Sequence, residues 1–78
     1  MPRIIGVEAH PDFTLTLHMD EGVARRFDCR PYLHRGVFRR LTDVRLFAQA
    51  YVAFDTVCWP GELDIAPETL VLGSVELA

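Results

Sequence analysis

The segment Cys58-Trp59-Pro60-Gly61-Glu62-Leu63-Asp64-Ile65-Ala66-Pro67-Glu68-Thr69-Leu70 constrains the fold of this chain more than any other. A lone Trp precedes a Pro-Gly turn, a short apolar alternation follows, and Pro67 introduces a helical turn. Proline fixes its own φ and has no amide donor, so Pro60 ends a strand while Pro67 suits the first position of a helix. The expected order is a strand through Val57-Cys58-Trp59, a turn, a short strand Leu63-Asp64-Ile65, and a helical turn ending near Gly73. Each of these elements dictates backbone geometry, and none brings chemistry.

The preceding residues read as a β-meander. Ile4 to Ala9 forms a strand with Ile5, Val7 and Ala9 on one face, and His10-Pro11-Asp12 interrupts it. Residues 13–19 then alternate strictly, apolar at odd positions and polar at even ones, the pattern of a strand with one wet face. Asp20-Glu21-Gly22 fits a three-residue hairpin loop with Gly22 left-handed. The return strand, residues 23–29, sets Val23 against Met19, Phe27 against Leu15 and Cys29 against Phe13. Arg25 then falls opposite Leu17, so either its stem snorkels outward at an edge or a bulge shifts the register. Pro31-Tyr32-Leu33 closes the meander. Phe38, Leu41, Val44 and Phe47 recur every three residues, which predicts short helical turns with Arg39, Arg40 and Arg45 outward and Thr42-Asp43 as a cap. Tyr51 to Phe54 reads as a further strand, joined to the next at Asp55-Thr56. The fold class expected is α+β: a small antiparallel sheet, meander plus C-terminal hairpin, with short helical segments in a single domain, 1–78.

Charge separates along the chain. The formal net charge is −3 over 78 residues. All eight basic residues are Arg, and seven of them lie between positions 25 and 45. From position 46 onward the charged residues are all acidic. An acidic protein with a basic middle is not a general nucleic-acid binder, but it can present one anion-facing surface. The alternative is that the arginines balance the acidic C-terminal half. Half of the residues are hydrophobic, which places the chain among globular proteins. No apolar run approaches the roughly 20 residues of a membrane span. Near Arg3 there is neither an apolar core nor a small-residue cleavage site of a signal peptide. A bacterial, cytoplasmic protein is therefore expected, with Cys29 and Cys58 as buried thiols.

Taken in order, the alternating strand with Asp20-Glu21-Gly22, then Phe27-Asp28, Tyr32-Leu33, Gly36 to Leu41, Phe47 and above all Trp59 to Leu70 resemble the DUF2442 family of small bacterial proteins. The resemblance covers nearly the whole chain. It implies no established activity, because the family is one of unknown function. It does imply company, since such domains occur fused to helix-turn-helix segments or encoded beside toxin-like proteins. With the chain ending at Ala78, no helix-turn-helix is expected, and direct nucleic-acid binding is not carried over.

Candidate chemistry is sparse. His10, His18, His34, Cys29 and Cys58 show no metal-ligand spacing, so no metal or cofactor is expected. Asp28 and Asp64 interrupt apolar strand patterns, as a pair of working carboxylates would. The simpler reading is that each accepts backbone N–H groups at a strand end or pairs with an Arg. Trp59 is read either as a ligand-stacking ring or as a core anchor with its indole N–H at the rim. Three functions follow in order of preference. The first is a protein-interaction module using Arg25, Arg26, Arg39, Arg40 and Arg45, for instance an antitoxin-like partner of a neighbouring gene product or a homodimer. The second is a small-ligand binder using Tyr32, Trp59 and Asp64. An enzyme is not expected.

Overall fold

The computed structural model describes residues 2–77. The strict alternation of the second strand organises everything around it. Strand β1 (Ile4–Ala9), β2 (Thr14–Met19) and β3 (Ala24–Asp28) form an antiparallel meander. Leu15, Leu17 and Met19 are buried, while His18 faces water. The β2–β3 turn is as expected. The Met19 amide donates to the Val23 carbonyl at 2.9 Å, that of Gly22 donates to the Met19 carbonyl at 3.0 Å, and Gly22 has φ 87°.

The first strand departs from expectation. Ile4 lies opposite Met19 and Gly6 opposite His18, so Ile5 is an extra residue with no counterpart on β2. This bulge reverses the parity of the strand at that point. Ile4 turns into the core instead of Ile5, which is 62% exposed. Strand β2 begins at Thr14, one residue later than expected, because Phe13 adopts φ 66°. Asp12 holds that corner by accepting from the Thr14 hydroxyl at 2.7 Å and from the Thr14 amide at 3.2 Å.

After β3, Arg30–Tyr32 makes one 3-10 turn and Gly36–Thr42 a longer 3-10 segment. Asp43 is extended, and its carboxylate accepts the Arg45 amide at 2.9 Å to start α1 (Val44–Phe47). That extended residue breaks the expected three-residue phase. Leu41 and Phe47 are buried and Phe38 is half-buried, but Val44 is 46% exposed. Strands β4 (Tyr51–Ala53), β5 (Thr56–Trp59) and β6 (Leu63–Ile65) form a second antiparallel sheet. The β4–β5 turn is centred on Phe54-Asp55 rather than Asp55-Thr56; both central residues have positive φ, 55° and 61°, the twist a tight hairpin requires. Helix α2 (Pro67–Leu72) opens on Pro67 and buries Leu70.

The chain does not finish with α2. Strand β7 (Val75–Glu76) pairs antiparallel with β3, placing Glu76 opposite Arg25 and Val75 opposite Arg26. The first sheet therefore has four strands in the order β1-β2-β3-β7. The expected single sheet is two, and they share one core. Ile4, Leu15, Leu17 and Phe27 from the first sheet join Val57, Trp59 and Ile65 from the second, together with Leu41, Phe47 and Leu70.

Arg25 resolves its conflict by neither expected route. No bulge shifts the β2–β3 register, which keeps Leu17 opposite Arg25. Instead the half-buried guanidinium donates to Ser74 Oγ at 2.7 Å and to the Ser74 carbonyl at 3.0 Å. Those groups lie just beyond the C-terminal end of α2, where carbonyls lack partners within the helix.

Candidate functional site

The arginines of the basic middle fall into three environments. Arg25 is consumed by the fold, as described. Arg30 makes a bidentate pair with Asp28, both contacts at 2.9 Å, and this holds the Asp28 carboxyl below the usual carboxylate range. Asp28 also accepts the Arg30 amide at 2.9 Å, so it serves as a strand-end acceptor and an arginine partner at once.

The remaining arginines face water. Arg26 is exposed on β3. Arg35 lies over the Tyr32 ring at 5.4 Å. Arg39 donates weakly to the Gly36 carbonyl at 3.4 Å, and Arg40 to the Gly61 carbonyl at 3.3 Å. Arg45 stands 3.8 Å from Asp43 with its side chain 90% exposed. Among the described residues, no ion pair links these arginines to the acidic residues beyond position 46. Phe38, Leu41 and Phe47 anchor the segment on its inner side, so its guanidiniums project without disturbing the core.

Of Tyr32, Trp59 and Asp64, the structure brings only Trp59 and Asp64 to one depression, and Tyr32 lies away from it. Tyr32 stacks on Phe27, with ring centroids 5.5 Å apart. Trp59 is wholly buried, and its indole N–H donates to the Phe47 carbonyl at 3.0 Å in the interior rather than at a rim. Its ring is a core anchor and offers no face to a ligand. Asp64 is exposed and sits opposite Cys58 across the β5–β6 ladder.

Around Asp64 the structure assembles residues that sequence reasoning passed over. Tyr51, Cys58 and Asp64 form one cross-strand row on the second sheet. With Phe54, Gly61 and Glu62 they border a shallow depression of about 440 Å³, which Tyr32 does not line. Phe54 is 93% exposed at the tip of the hairpin. Only β6 alternates, which marks Asp64 as outward; β4 does not alternate and β5 is buried throughout, so the row could not be read from the sequence. A second, smaller cavity of about 160 Å³ lies among Pro2, Pro67, Glu68, Val71 and Leu72.

Two of the three histidines have side-chain partners. His10 lies 2.7 Å from the Thr16 hydroxyl and His18 lies 2.6 Å from Glu8. Among the described residues, no three His, Cys, Asp or Glu side chains converge as a metal site would require. Burial, reinforced by Asp28, pushes the Cys29 thiol up to about 12. Burial and then Asp64 also raise Cys58. Both are free and buried, and neither is poised as a thiolate. Among the described residues, no helix is long and apolar enough to cross a membrane.

Comparison with curated proteins and with solved structures returns no match. A family model described as "Protein of unknown function (DUF2442)" matches residues 4–76. That span runs from the first residue of β1 to the last of β7 and takes in every element described above, and the chain belongs to the DUF2442 family.

Proposed function

We propose that this protein works by binding another protein and not by catalysis. Its docking surface is the exposed arginine strip on the segment from Gly36 to Phe47. One observation carries the reading: Arg39 and Arg40 project from a segment anchored in the core, yet neither has an acidic partner within the described chain. Arginine suits such a surface because its planar fork pairs bidentately with carboxylates and stacks on flat groups. An acidic protein surface is the matching chemistry, and an antitoxin-like role beside a neighbouring gene product is the setting this fits. Two buried free thiols accord with action in a reducing cytoplasm. A small-ligand site built on Tyr32, Trp59 and Asp64 has less support, because the Trp59 ring is inaccessible and Tyr32 lies elsewhere.

The test is an Arg39→Glu, Arg40→Glu, Arg45→Glu triple variant that keeps the circular dichroism of the parent. Partners recovered with the parent from its native host should be lost with this variant, and recovery from the parent should weaken as salt rises. Retention of every partner at unchanged salt sensitivity would remove the arginine strip from the function.

A further inference from the structure

The outer face of the β4-β5-β6 sheet carries a feature that folding does not explain. Phe54 exposes 93% of its surface in a left-handed conformation that favours Asn or Gly. Neither backbone preference nor core burial accounts for an aromatic residue there. Tyr51, 47% exposed, stands on the same depression, and Glu62 and Asp64 line it with carboxylates. Neither carboxylate has a hydrogen-bond or ion-pair partner among the described residues. Among the described residues no cationic side chain lines the depression, and Arg40 reaches only its Gly61 edge. Exposed aromatic faces beside unpaired carboxylates make an environment for a guanidinium, which the rings attract through their quadrupoles and the carboxylates through charge.

The position of the basic strip identifies the source of that guanidinium. Arg40 donates to the Gly61 carbonyl at 3.3 Å, and Gly61 itself borders the depression. Basic strip and acidic depression therefore meet where Arg40 contacts Gly61. Two complementary patches lying side by side can be satisfied reciprocally by a two-fold axis through their boundary, each strip covering the other copy's depression. Patches on opposite sides would instead link molecules head to tail without closing.

We infer that the depression bordered by Tyr51, Phe54, Glu62 and Asp64 receives the arginine strip of a second copy of this chain, forming a closed dimer. This deepens the interaction reading by naming an occupant for the strip, and rests on it only in that the arginines are available. The sign of charge on each patch and their adjacency carry the inference.

Sedimentation of the intact protein tests it. The parent should dimerise at low salt and dissociate as ionic strength rises. A Glu62→Arg, Asp64→Arg variant and the triple arginine-to-glutamate variant should each be monomeric. Mixed in equal amounts they should associate, because a reversed strip meets a reversed depression and a parental strip meets a parental one. Phe54→Ser, at a position with no burial to lose, should weaken the dimer about tenfold or more while leaving the melting temperature of the monomer unchanged. A parent that stays monomeric at low salt, a dimer that survives both reversals, or folded variants that fail to associate when mixed would each overturn the proposal. A foreign partner lost on arginine reversal but kept on depression reversal, with a monomeric parent, would overturn this dimer and leave the interaction reading standing.

Discussion

Gly73 illustrates how a residue can be required for space and not for conformation. The helix ends there as expected, but its φ is −88°, ordinary for any residue, so conformational freedom is not what keeps glycine there. A Cβ at this position would lie 2.8 Å from the Thr69 carbonyl oxygen and 2.9 Å from Cε1 of Phe27. Phe27 is fully buried and stacked on Tyr32, so its ring has little room to yield. Gly73→Ala should therefore destabilise by about 1–3 kcal/mol, the usual penalty for overfilling a packed site. For a chain of this size each kcal/mol lowers Tm by roughly 4–8 °C, so a thermal melt reads the effect directly. Gly22 is the converse case. A Cβ there meets nothing within 4 Å, and only its φ of 87° favours glycine.

Among the elements, α2 and β7 depend on Arg25. The guanidinium reaches from β3 to Ser74, and its second nitrogen also lies 3.5 Å from the Val71 carbonyl. It thereby joins the first sheet to the end of α2 and to the short strand that follows. Arg25→Leu keeps the packing of the stem but leaves the Ser74 groups without their donor, at a cost of about 1–3 kcal/mol. Amide hydrogen exchange should locate the loss: protection should fall in residues 67–77 before it falls in β2. Arg25→Lys should rescue only in part, because one ammonium cannot reproduce a fork that bonds Oγ and carbonyl together. Uniform loss of protection across both sheets would show that Arg25 acts through general packing instead.

For the molecule as a whole, pH should bound stability from both sides. Cys29 moves from 9.0 to about 12 on folding, chiefly through burial, so the folded state retains a proton that the unfolded chain releases. That contribution is complete below pH 9 and is lost as pH rises toward 12, with a slope on the order of 1 kcal/mol per pH unit. Cys29→Ala should flatten this alkaline arm in denaturant titrations, although it lowers stability overall by opening a cavity. On the acid side the sign reverses. Asp12 is lowered chiefly by the Thr14 hydroxyl, Asp20 by the Arg3 amide and Asp28 by Arg30. Their contribution is present above the unfolded value of 3.8 and disappears as pH falls through the lower folded values. Removing the Thr14 hydroxyl with Thr14→Val should shift the acid midpoint upward.

The sequence by itself determined the parts whose cause lies within a few residues. Side-chain parity along Thr14–Met19, the left-handed Gly22, the Asp43 cap, the Pro67 helix start and the Pro60-Gly61 break all follow from local sterics and short-range hydrogen bonds. The tertiary structure decided what depends on distant partners or on very short elements. The bulge at Ile5 lets Ile4 rather than its neighbour enter the core, and Ile4 and Ile5 look equivalent in sequence. Strand β7 has two residues and shows no alternation; its existence depends on β3 standing beside it. Arg25 could be seen to conflict with Leu17, but its receptor is Ser74, 49 residues further on. The depression likewise exists only because the register of three short strands lines up Tyr51, Cys58 and Asp64. Local chemistry chooses conformations residue by residue, whereas register and the meeting of remote side chains are chosen by the packing of the whole core.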